Sequence, residues 1–176
     1  DRRIGLLEEV AGVWRDRRDP DAITHELVEL LRQRVYGLGA GYEDLNDHGH
    51  LRTVPCWQTA IERDEPLASA PTLCRLENAF TRADAVAVNT LLLEQCIQSH
   101  SVAPAELVLD FDATDVPLHG LQEERFFHGY YDQHGYLPLY VFCGDRLLVA
   151  YLRPANIDPA RHAWAILALL VRRLRQ

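Results

Sequence analysis

The 176-residue chain contains no methionine, not even at position 1, and no lysine; all 18 of its cations are arginine. The first absence makes the sequence read as a piece rather than as a reading frame as translated. The second is what a GC-rich coding sequence gives, and is not by itself a sign of guanidinium chemistry. No apolar run reaches the roughly 18 residues that a bilayer crossing needs; the richest, Ala163 to Val171, closes on Arg172 and Arg173. Asp1-Arg2-Arg3 leads into no long apolar segment, so no signal peptide is predicted. The cysteines, Cys56, Cys74, Cys96 and Cys143, include no CxxC pair. Without a secretory signal they read as reduced cytosolic thiols, each packed as a small apolar side chain. Positive charge is short as well. The net charge is −8, whereas a dedicated nucleic-acid domain is usually basic. Residues 1–100 hold 11 Arg against 17 acids and residues 101–176 hold 7 against 9, so neither half is a basic arm.

What is present is the composition of a globular protein, 48% hydrophobic and 25% charged. The length allows one domain or two small ones with a real core. Residues 1–102 read as helical. Thr24 is a candidate cap for a helix carrying Leu27, Leu30, Leu31, Val35 and Leu38, stopped by Gly39 and Gly41. Residues 42–55 look like a loop, and a short helix is predicted near Pro55. Ser69-Ala70-Pro71 opens a helix over Thr72 to Phe80, and Asp84 is placed as the cap of another running to Gln98. Residues 103–176 change character. Strands are predicted over Glu106–Ala113, Leu137–Cys143 and Arg146–Arg153, the last two joined by the tight turn Gly144-Asp145. Gly120 to Gly135 is a mixed, aromatic-rich excursion. Asp158-Pro159 is predicted to open a final helix with Ala163, Trp164, Leu167, Leu170, Val171 and Leu174 as its apolar stripe. Trp57 and Trp164 are assigned to the core. The fold class is α+β, a three-stranded antiparallel sheet plus one helix following a helical region.

The sharpest local feature is Leu109-Asp110-Phe111-Asp112-Ala113-Thr114-Asp115. Carboxylates at i and i+2 of a strand project from one face. Mg²⁺ takes one or two carboxylates together with phosphate oxygens, and two-metal phosphoryl-transfer sites use strand ends in this way. The plain alternative is that Asp112 and Asp115 cap the turn that ends the strand. His48-Gly49-His50 has the spacing of the paired histidines of nicking enzymes, but a glycine in a turn-rich loop is the wrong context for it. His128 and His134, among aromatics, read as packing residues. Pro71 to Phe80, with Arg75 outward, fits either a DNA-reading helix or ordinary core packing.

The run Asp110-Phe111-Asp112-Ala113-Thr114-Asp115, then His119-Gly120, resembles the DDE-type transposases of bacterial insertion sequences, in the group reading Asp-x-Asp-x-Thr-Asp before a His-Gly pair. Gln122-Glu123, Phe126 to Tyr131, Tyr136 to Leu139 and Leu152-Arg153-Pro154 are similar to that group, as are Gly41 to Asp47, Leu51-Arg52 and Thr72 to Asn78. Thr53-Val54-Pro55 departs from it where an acidic residue is expected before the proline. The resemblance implies a helical region over residues 1–102, a candidate for DNA binding, and the N-terminal part of a ribonuclease H-like catalytic core over 103–176. It implies Mg²⁺, with Mn²⁺ as substitute, and double-stranded DNA at transposon ends as partner, with a homodimer in the synaptic complex. Asp112 is the implied first catalytic carboxylate and metal ligand, Asp110 the second choice and Asp115 the third. Arg75, His119 and Arg153 are the candidate DNA contacts. The second Asp and the Glu of the triad would follow the last helix, beyond Gln176, so this chain is expected to be inactive alone. The expected location is the bacterial cytoplasm, with no membrane. Two other readings compete: a non-catalytic DNA-binding or protein-interaction module, and a small metal-dependent phosphohydrolase built on Asp110 and Asp112.

Overall fold

A computed structural model describes residues 1–175. Packing divides the chain inside one helix, giving a unit over Asp1–Val88 and a second from Asn89 onward. The change from helix to strand comes later, after Gln98.

The first unit is helical: α1 (Leu6–Val13), α2 (Leu27–Gly39), α3 (His48–Leu51), α4 (Pro55–Ile61), α5 (Ala70–Ala79) and the start of α6 (Arg82–Gln98). Three-to-four spacing on α2 turns Leu27, Leu30 and Leu31 inward; they pack with Ala68, Leu73 and Leu76. Ser69 precedes α5 as expected, but two other caps are not where the sequence placed them. α2 begins after Glu26, whose backbone N–H donates to the Glu29 carboxylate at 2.9 Å, so Thr24 lies outside the helix. Asp84 acts from inside the first turn of α6. It accepts from the Thr81 backbone N–H at 2.9 Å and from the Thr81 hydroxyl at 2.5 Å, the reciprocal arrangement of a capping box. Residues 42–55, expected to be loop, contain a 3₁₀ turn over Leu45–Asp47 and all of α3. The Asp44 side chain starts them by accepting from the Asn46 N–H at 2.8 Å.

The second unit holds two small antiparallel sheets. In the first, β1 (Asp110–Ala113) pairs with β5 (Leu139–Cys143), which pairs with β6 (Arg146–Tyr151). The predicted hairpin is present, with Gly144 at φ 60° and Cys143 opposite Arg146. β1 is shorter than predicted because of that hairpin. Asp110 already faces Phe142, and β5 ends one residue later, so residues 106–109 have no strand to pair with. Asn89 on α6 occupies the far edge: its side chain accepts from the Ala150 N–H at 2.7 Å and donates to the Ala150 carbonyl at 3.2 Å. This blunts an edge that would otherwise offer open ladder groups. The aromatic excursion folds into the second sheet, β2 (Val116–Pro117), β4 (Gln133–Tyr136) and β3 (Phe126–His128) in that order. Gly135 has no room for a side chain, since a Cβ there would run into the Val116 carbonyl.

α7 spans Ala163–Leu174, beginning four residues after the predicted first helical residue, Pro159. Asp158 still caps a turn, accepting from the Ala160 N–H at 2.7 Å, but the carbonyls of Pro159 and Arg161 are taken by the Arg153 guanidinium. The stripe is rotated too. Leu170 is buried and Ile166 and Leu174 pack beside Leu93, Cys96, Val141 and Leu148, while Trp164 is 81% exposed. Trp57 is only half-buried, edge-on to Tyr42. Of the cysteines, Cys96 is buried and Cys143 half-buried as expected, but Cys56 and Cys74 are exposed. Among the described residues no helix is long and apolar enough to cross a membrane.

Candidate active site

β1 carries the acidic motif along a sheet edge. Leu109 and Phe111 lean on the second unit's core, so the pleat sends Asp110 and Asp112 to the opposite face, where both are exposed. Asp112 lies across from Tyr140 and Asp110 across from Phe142. Paired residues of an antiparallel ladder share a face, so two aromatic rings flank the two carboxylates, 6.4 Å apart between centroids. The strand exit is held in place by the Thr114 N–H on the Pro138 carbonyl at 3.1 Å. The Thr114 hydroxyl donates to Asp112 Oδ2 at 3.0 Å. That bond orients one carboxylate oxygen and leaves the other open.

Asp115 has different surroundings. It is half-buried, Gln133 of β4 donates to its Oδ2, and its Oδ1 is enclosed without a hydrogen-bond partner. Its carboxylate serves the join between the two sheets. His119 is exposed beside Gly120, which sits at φ 130°. His128 and His134 pack against Tyr131 and Phe127. His48 is fully buried against Gln33, away from any His50 partnership, since His50 is exposed. Arg75 stands exposed on α5, donating to Thr72 at 3.1 Å.

Arg153 corrects an expectation. It is 1% exposed and donates to the carbonyls of Leu137 (2.8 Å), Pro159 (3.1 Å) and Arg161 (2.5 Å). A guanidinium enclosed in this way fastens the loop before α7 and does not reach a DNA phosphate. In the other direction, sequence reasoning missed Tyr140 and Phe142 as neighbours of the acidic pair. The signal was available only once β1 and β5 were aligned in register.

The donor set suits a hard divalent cation in part. Two exposed carboxylates on one strand face match the one or two that Mg²⁺ takes, with water and phosphate oxygens completing its shell. Among the described residues no three His, Cys, Asp or Glu side chains gather as a metal-binding group.

The family model described as Transposase DDE domain group 1 matches residues 1–176, the whole chain. The chain belongs to this transposase family. No curated protein and no solved structure matches it. Membership of the DDE transposases implies transposition-related nuclease chemistry, DNA as substrate and the use of a divalent metal.

Proposed function

We propose that this DDE transposase chain takes part in DNA transposition as the N-terminal portion of a ribonuclease H-like catalytic core, with Asp112 as its first catalytic carboxylate and Asp110 as an accessory metal ligand. The observation that carries the reading is the outward pair on β1, with Asp112 oriented by Thr114. The β1-β5-β6 sheet with α7 beside it supports the fold assignment. When bound, Mg²⁺ or Mn²⁺ would lower the pKa of the attacking water and neutralise charge developing at phosphorus. Asp112 would hold the ion by its free oxygen, and Thr114 would keep the carboxylate from rotating. Tyr140 and Phe142 would limit water on the strand's face. His119, exposed in the following turn, and Arg75 on α5 are the surface contacts proposed for DNA.

Two carboxylates do not hold the pair of ions that strand transfer needs, so the chain alone is expected not to cleave or join DNA. The test is therefore metal binding. Mn²⁺ added to ¹⁵N-labelled chain should broaden the amide signals of residues 110–114, and Asp112→Asn should abolish that broadening while Asp145→Asn, in the hairpin turn, leaves it. Broadening that ignores Asp112→Asn would sink the reading. Turnover of small phosphate esters by the isolated chain would instead favour a phosphohydrolase.

A further inference from the structure

The helical unit contains a cavity of about 630 Å³, within the size range of small-ligand sites. Five arginines line it, Arg15, Arg17, Arg18, Arg52 and Arg75, against two carboxylates, Asp16 and Asp19. A chain of net charge −8 thus gathers more arginines than carboxylates around one hollow.

The pairing of these arginines decides which are committed. Arg18 grips Asp16 at 2.6 Å, and Arg17 pairs with Asp84 at 3.0 Å. Arg15, Arg52 and Arg75 have no acidic partner among the described residues. Arg52 is only half-exposed, and its Nε is enclosed with no hydrogen-bond partner. A buried guanidinium N–H without an acceptor is costly, and Arg52 carries that cost while standing in the cavity wall without an acidic partner. His25, on the same wall, has its proton affinity lowered, first by burial, then by Arg63, with Glu29 opposing and Arg52 and Arg18 adding to the effect. Positive charge therefore dominates this wall. Ser69, Thr72 and Trp14 also line it, with the Ser69 and Thr72 hydroxyls bonded to each other at 3.0 Å.

Guanidinium forks match the tetrahedral oxygens of a phosphoryl group better than any other common anion-binding side chain does. We infer that this cavity is a phosphate site, built to take the phosphoryl group of a nucleotide unit, with Arg52 and Arg75 as the principal ligands and Arg15 at the rim. The observation is independent of Asp112; the inference leans on the transposase reading only in taking a DNA strand as the first source of that phosphate.

The test uses the full chain in EDTA, so that no metal at Asp112 contributes. Binding of a fluorescent 20-base-pair duplex is followed by anisotropy across a salt series, with pyrophosphate as the free-phosphate probe in parallel. Arg52→Gln with Arg75→Gln is expected to weaken duplex binding by roughly tenfold or more and to lower the salt slope by about two. Arg2→Gln with Arg3→Gln, the same charge removed elsewhere on this unit, should change affinity less than about twofold. Arg15→Gln with Arg75→Gln, both exposed side chains, serves if the loss of Arg52 impairs folding. Pyrophosphate binding that the cavity variants abolish, without duplex binding, would uphold the phosphate site and assign its source to a free phosphate ester. Equal losses from the cavity pair and the Arg2/Arg3 pair would overturn it, as would duplex and pyrophosphate binding that ignore both cavity pairs. Every value is read in EDTA, where Asp112 holds no metal, so failure of the metal reading and failure of this one are separable.

Discussion

Two buried or nearly buried charges show how single residues hold this molecule together. Arg153 uses a fixed fork of donors to gather three carbonyls from three points of the chain, a task that a flexible ammonium performs less well. Asp84, 3% exposed, accepts from Thr81, Arg17 and the Arg15 backbone N–H. These donors, led by the Thr81 hydroxyl, hold its carboxyl well below the usual carboxylate range although burial opposes them. Its proton is thus released at lower pH in the folded chain than in the unfolded one. The stabilisation is fully present above the unfolded value, near pH 4, and fades as pH falls through the ordinary carboxylate range toward the folded value. Urea unfolding of wild type and Asp84→Asn should therefore differ most at neutral pH and converge below about pH 4. A difference that stays constant with pH would show that the carboxylate's charge is not what matters.

At the scale of elements, α2 and α3 meet through a glycine. A Cβ on Gly37 would lie 2.7 Å from His48 Cε1 and 2.9 Å from its Nε2. The ring cannot retreat easily, because it is fully buried and Gln33 lies 3.4 Å from its Nδ1. Gln33 itself is fixed to Ala68 by both ends of its side-chain amide: its N–H donates to the Ala68 carbonyl at 2.9 Å and its oxygen accepts from the Ala68 N–H at 3.0 Å. Overpacking of this kind costs about 1–3 kcal/mol, against about 1 kcal/mol gained from helix propensity. Gly37→Ala is expected to lower stability by up to about 2 kcal/mol, whereas Gly39→Ala, with open space around it, should be neutral or slightly stabilising in the same thermal melts. Nothing in the local sequence separates these two glycines. Periodicity and turn chemistry are local signals, and they located α2, α5, α6, the β5–β6 hairpin and the shared face of Asp110 and Asp112. Signals that depend on distant partners were not legible. α3 was hidden because Gly49 and the surrounding polar residues look like loop until the Asp44 turn is seen. The start of α7 was displaced by Arg153, and the length of β1 was set by where its partner strand ends. The arginine cavity is assembled from residues 15 to 75, and no window of sequence spans it.

For the whole molecule, the two hydrophobic clusters share no residue: Leu27, Leu30, Leu31, Ala68, Leu73 and Leu76 form one, and Leu93, Cys96, Val141, Leu148 and Leu170 the other. α6 is the covalent link, with Asp84 serving the first unit and Leu93 and Cys96 the second. Each cluster is small, so each unit's stability rests on a few side chains, and local opening should follow the unit boundary rather than spread evenly. Leu73 is completely buried, and Leu73→Ala leaves a cavity costing about 2–5 kcal/mol. Native-state hydrogen exchange is the measurement that separates the possibilities. In the variant, amides of α2 and α5 should exchange faster, while those of the β5–β6 ladder keep their wild-type rates. Equal acceleration in the β5–β6 ladder would show one cooperative unit, because a single global opening lowers protection everywhere by the same amount. Retained protection in the ladder would mean that the strand bearing Asp112 and the cavity bearing Arg52 report on separate folding equilibria, so that damage to one leaves the other intact for its own assay.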